Sequence, residues 1–234
     1  MPPRASLRPR SAAGAEDASA SASPAAAARP SRLRTALVVV NEGTKFGVSA
    51  AALAVLLHQR SAHAALALSA SVVNSLAGKA LKRLLGHARP PGARKADPGM
   101  PSSHGVSLGY LATYGASALL FGGATPRDPL AEHCLAAGAL QALGLFLAAL
   151  RVGLGYHTAP QVAVGYALGA TNALLVHTAA RAYLLPLLAA APAARAALYA
   201  LTAAAIAVFA AKGLTEWLAD AKVTMQAHRA AKAQ

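Results

Sequence analysis

Three short polar islands interrupt a chain made mostly of alanine, leucine and valine. They are Lys82-x6-Arg89-Pro90, Pro101-Ser102-Ser103-His104 and Arg151-x5-His157. Within about 75 residues they gather two arginines, a lysine, a serine pair and two histidines. Those residue types suit a phosphoryl group. Guanidinium and ammonium groups neutralise the non-bridging oxygens, one imidazole can attack phosphorus, and the other can protonate the leaving oxygen.

Such a site needs elements that bring distant islands together, and the composition says what those elements are. Of the 234 residues 56% are hydrophobic and only 13% charged, and the mean hydropathy is positive, which is the balance of an integral membrane protein. The formal charge of +14 does not point to nucleic acid, because aromatics are only 5% and no basic patch is interleaved with them. Cys134 is the only cysteine, so there is no intrachain disulfide and no cysteine metal site, and no carboxylate or HExxH spacing supplies another. The chain is expected to work without a metal or other cofactor.

Apolar segments fall at 46–58, 63–81, 105–124, 134–150, 159–179 and 196–212, predicting an all-α polytopic bundle of about six transmembrane helices over 35–213. Gly105, Gly109, Ala112 and Ala116 form a small-residue face suited to close helix packing in lipid. Residues 1–34, with six arginines, six serines and no long apolar core, have the composition of an organelle transit peptide. Residues 214–234 form a basic tail. The second and third islands are separated by two apolar segments, so the chain crosses twice and returns to the same face. The first and second share one loop. All three islands therefore meet one membrane surface. Only Arg60, Arg127, Arg181 and Arg195 fall on the other face, which turns the site toward the cytosol or stroma.

The islands resemble the motif of the type 2 phosphatidic acid phosphatase superfamily, which shares a helical core with vanadium haloperoxidases: Lys-x6-Arg-Pro, Pro-Ser-Gly-His and Ser-Arg-x5-His-x3-Asp. The first matches fully. The second carries Ser103 for glycine, and the third carries Leu150 for serine and Gln161 for aspartate. Asp97-Pro-Gly-Met-Pro-Ser-Ser-His104 and Tyr156-His-Thr-Ala-Pro-Gln-Val162 resemble one branch, that of dolichyl diphosphatases and plastid lipid phosphate phosphatases of epsilon type. Ser71-Val-Val-Asn-Ser-Leu76 resembles the plastid members.

The resemblance implies a phosphoric monoester hydrolase with His157 as nucleophile and His104 as general acid. Lys82, Arg89, Ser102, the Ser103 N–H and Arg151 would bind the phosphate, and Gln161 would orient His157. Gln161 lies i+4 from His157 and can accept its Nδ1–H without contributing charge. The implied substrate is a membrane lipid phosphate, with phosphatidic acid giving diacylglycerol in the inner envelope of the chloroplast, the site facing the stroma. The alternatives are a dolichyl or polyprenyl diphosphatase of the endoplasmic reticulum, and a catalytically silent lipid-binding scaffold, for which the missing aspartate is the only support. Among the remaining polar residues, Asn74 reads as an interhelical hydrogen bond, His58, His63 and His177 as structural, Glu42 with Lys45 as a local pair, and Asp97 and His87 receive no role.

Overall fold

The computed structural model describes residues 32–209, apart from 92, 94–96 and 123–129, together with 211 and 215. The transit-peptide and tail expectations lie outside the described residues, except that the first helix begins at Arg32, ahead of the boundary expected at 34. Every regular element among the described residues is a helix: α1 (Arg32–Gln59), α2 (Ala62–Leu85), α3 (Ser103–Phe121), α4 (Leu130–Gly153), α5 (Ala159–Ala179), a π-helical turn (Ala180–Leu184), α6 (Leu185–Ala190) and α7 (Pro192–Phe209). Four helical stretches are long and apolar enough to cross a membrane, and α1 makes a fifth if its two halves, bent by 41°, count as one span.

The hydrophobic pattern is the inverse of a water-soluble fold. Leu84, Leu135, Leu175, Leu201 and Phe209 point outward, whereas Asn41, Asn74, Lys82, Arg151, His157 and Gln161 are buried. Only a hydrocarbon surrounding makes that arrangement favourable. The less apolar composition of α3 has the same cause. Gly105, Gly109, Tyr110, Tyr114 and Ser117 are buried inside the bundle, so α3 has little lipid to face.

Close approach of α3 and α5 sets the bundle axis. A side chain at Gly105 would come within 2.9 Å of Val162 O, and one at Gly165 within 2.7 Å of Ser102 O. Gly109 and Gly169 leave still less room, against the backbone of Tyr166 and Val106. The small face expected on α3 is thus answered by a small face on α5, which maximises van der Waals contact where no hydrophobic drive exists. Polar pairs pin the register. Asn172 Nδ2 donates to Asn74 Oδ1 at 2.7 Å, and Asn74 Nδ2 donates to Val106 O at 3.4 Å. Gln141 links α4 to both neighbours, donating to Thr113 and accepting from Tyr166. At the far end the His63 and His177 rings stand 5.4 Å apart beside Tyr114, a packing cluster remote from the islands.

Candidate active site

The ends of four helices converge at the islands. The last turn of α2 carries Lys82, then stops at Gly86, whose left-handed backbone (φ 59°) turns the chain back toward Arg89. Ser102 caps α3, its Oγ accepting the Gly105 N–H at 3.3 Å, and Ser103 and His104 occupy the first turn. Arg151 ends α4. Its carbonyl accepts the N–H groups of both Tyr156 (2.9 Å) and His157 (3.1 Å), which seats His157 directly beyond the helix terminus. Gly155, at φ 75°, makes the intervening turn. The N-termini of α3 and α5 both point here, so two positive dipole ends add to the side-chain cations.

The hydrogen bonds around His157 fix its tautomer. Gln161 Nε2 donates to the Ala88 carbonyl at 2.7 Å, and Gln161 Oε1 accepts the Thr158 N–H at 3.2 Å, so the amide has one permissible orientation. Oε1 faces His157 Nδ1 at 3.2 Å and must accept from it. The proton is therefore on Nδ1, and Nε2 carries the lone pair, which accepts from Arg89 Nη1 at 3.1 Å. Burial first, and the Arg89 guanidinium next, push the imidazole down to about 4, which favours its neutral form.

Positive charge surrounds that nitrogen. Beyond His157, Arg89 donates to the carbonyls of Asp97 (2.8 Å) and Tyr156 (2.9 Å) and to Asp97 Oδ1 (2.9 Å). Lys82 Nζ lies 2.7 Å from Asp97 Oδ2, so one carboxylate bridges both cations. Burial raises the Asp97 carboxyl, but hydrogen bonds from Lys82 and Arg89 prevail and hold it at about 2. Arg151 is built differently. Its guanidinium lies 4.1 Å over the Tyr156 ring and donates from Nη1 to Asn41 Oδ1 at 3.0 Å. Glu42 accepts from Tyr156 Oη at 2.9 Å and from Asn41 Nδ2 at 3.2 Å, tying the second pair to α1. Arg151 Nε is buried with no partner among the described residues.

The fold brings together Lys82, Arg89, Arg151, His157 and Gln161 as the spacing implied, and places Ser102, Ser103 and His104 at the α3 terminus facing the same end. Ser102 N–H donates to Gln161 O at 2.9 Å, joining the second island to the third. Ser103 sits in ordinary helical backbone, as a serine replacing glycine requires. Four participants escaped sequence reasoning: Asp97, Asn41, Glu42 and Tyr156. Glu42 accepts from Tyr156 across the bundle as well as from its neighbour Asn41, and the pair expected with Lys45 falls on a side chain outside the described residues. A local signal did exist for Gln161, since Thr158-Ala-Pro-Gln161 is a capping-box spacing with proline in the first turn.

Two curated proteins are similar to this chain. Over 140 residues the chain is 33% identical to lipid phosphate phosphatase epsilon 2, chloroplastic, of Arabidopsis thaliana, covering 58% of this chain and 46% of that protein. It is 31% identical over 140 residues to lipid phosphate phosphatase epsilon 1, chloroplastic, of the same plant, covering 60% and 49%. The chain thus spans about half the length of the curated relatives it matches. No family model matches, and no solved structure matches. The chain assembles a histidine, three cations and two helix termini at one end of a membrane bundle, and over about 140 residues it is similar to the chloroplastic lipid phosphate phosphatases of epsilon type.

Proposed function

We propose that this chain is a metal-independent lipid phosphatase that converts phosphatidic acid to diacylglycerol through a phosphohistidine at His157. The observation that carries the reading is the His157 Nε2 lone pair, fixed by Gln161 and lying 3.1 Å from an arginine of a cationic pocket. That lone pair attacks phosphorus while the bond to the lipid oxygen breaks, and His104 gives the departing alkoxide its proton. Water then attacks the phosphohistidine, returning a proton to His104 and releasing inorganic phosphate. Lys82, Arg89 and Arg151 supply the positive charge that a metal would otherwise provide to the transition state. The Ser102 hydroxyl can cap α3 and still donate its proton to an oxyanion, and the Ser103 N–H adds a second donor at the helix terminus. A pocket at a helix-bundle end suits a substrate whose tails remain in lipid.

The names of the relatives support a chloroplast membrane as the location, and the distribution of Lys and Arg supports an inner-envelope protein with the site toward the stroma. The test is phosphate release from phosphatidic acid and from dolichyl diphosphate in EDTA, with His157→Ala as blank and vanadate as a phosphate mimic. Release from phosphatidic acid that vanishes in the variant and under vanadate is the expected result. Preference for the diphosphate would reassign the substrate, and no release from either would leave a silent anion-binding scaffold.

A further inference from the structure

We propose that Asp97 is an internal stand-in for the substrate phosphate, and that its displacement from Lys82 and Arg89 selects phosphate monoesters over phosphodiesters. The proposal takes its substrate class from the lipid phosphatase reading. Asp97 Oδ2 and Oδ1 accept from Lys82 Nζ at 2.7 Å and Arg89 Nη2 at 2.9 Å. These are two of the three cations available to bind a phosphoryl group, and both side chains are almost fully buried, whereas the Asp97 side chain is 48% exposed. The carboxylate therefore sits at the solvent side of the pocket and can swing out without uncovering a core. A phosphate monoester brings three non-bridging oxygens and a charge of about −1.5 to −2. It replaces both carboxylate contacts, keeps a third oxygen for a further donor and carries more charge than the carboxylate it evicts. A phosphodiester brings two such oxygens and a single negative charge, which is no more than Asp97 already offers, so it has no advantage with which to evict the carboxylate. The same bridge keeps the two like-charged side chains in register while the pocket waits for substrate.

The experiment is vanadate and inorganic phosphate binding to the full-length protein in detergent, read by equilibrium titration and by inhibition constants, for the native chain, Asp97→Asn and Asp97→Glu. Removing a carboxylate worth two partly exposed ion pairs is expected to tighten vanadate binding in Asp97→Asn by about tenfold. Discrimination against a phosphodiester should weaken, and Asp97→Glu, which keeps the charge, should bind as the native chain does. Unchanged or weaker vanadate binding in a folded Asp97→Asn protein overturns the proposal and makes Asp97 a fixed brace for the two cations. Absence of binding in both proteins overturns it as well. If vanadate binds but no lipid phosphate is cleaved, the catalytic reading fails while the binding difference still decides the role of Asp97.

Discussion

Changing Gln161 to glutamate separates orientation from charge in the His157 relay. The amide oxygen already stands 3.2 Å from Nδ1, so an isosteric carboxylate keeps the acceptor and adds a negative charge beside the ring. Two unit charges about 4 Å apart interact with roughly 4 kcal/mol at an effective dielectric of 20, an upper bound of about three pKa units. Arg89, which donates to His157 Nε2, and Lys82 beyond it act on the imidazole in the opposite sense, so a rise of on the order of two units for His157 is expected. The native imidazole sits at about 4 and must be neutral to attack, so its contribution to kcat/KM is lost as pH falls through about 4. In Gln161→Glu that loss moves up toward about pH 6. The substrate's second ionisation also falls near pH 6 but is common to both proteins, so the comparison isolates the enzyme. A penalty accompanies the gain. The 2.7 Å bond from Nε2 to the Ala88 carbonyl is replaced by oxygen facing oxygen, costing about 1–3 kcal/mol of stability. The assay is the pH profile of kcat/KM with a melting curve in the same detergent. An acid limb unmoved in a folded variant would refute the assignment of Gln161 as the acceptor for His157.

Asn41→Leu removes the partner of a buried Arg151 nitrogen, and is expected to cost about 1.5–3 kcal/mol and to raise KM for the lipid more than it lowers kcat; substrate titrations and thermal melts check both. Gly169→Ala drives a methyl group into the Val106–Tyr110 backbone of α3 and should destabilise the bundle by about 1–3 kcal/mol, read as a lower melting temperature. Asn172→Val breaks the bond to Asn74 and should cost only about 0.6 kcal/mol with turnover unchanged, because that pair lies along the α2–α5 packing and away from the site.

Chemistry that is local along the chain is legible in the order of its residues. The islands, their order and the even number of crossings between them require one shared surface, and the structure joins them there through Arg89, His157 and Gln161. The i, i+4 spacing of His157 and Gln161 and the small face of α3 follow from helix periodicity alone. What only the tertiary structure decided are contacts whose partners share no local pattern. Arg151 meets Asn41 across 110 residues and Tyr156 meets Glu42 across 114, and these meetings depend on the bend and register of α1 against the end of α4. Asp97 is close to the site in sequence, yet a loop aspartate can face either way. Its place between Lys82 and Arg89 follows from the path the chain takes after Gly86 and from the two cations whose mutual repulsion it relieves. The second role of Gln161, bonding the Ala88 carbonyl beside Arg89, is likewise set by that loop path, and it gives a physical reason for an amide where the motif has a carboxylate.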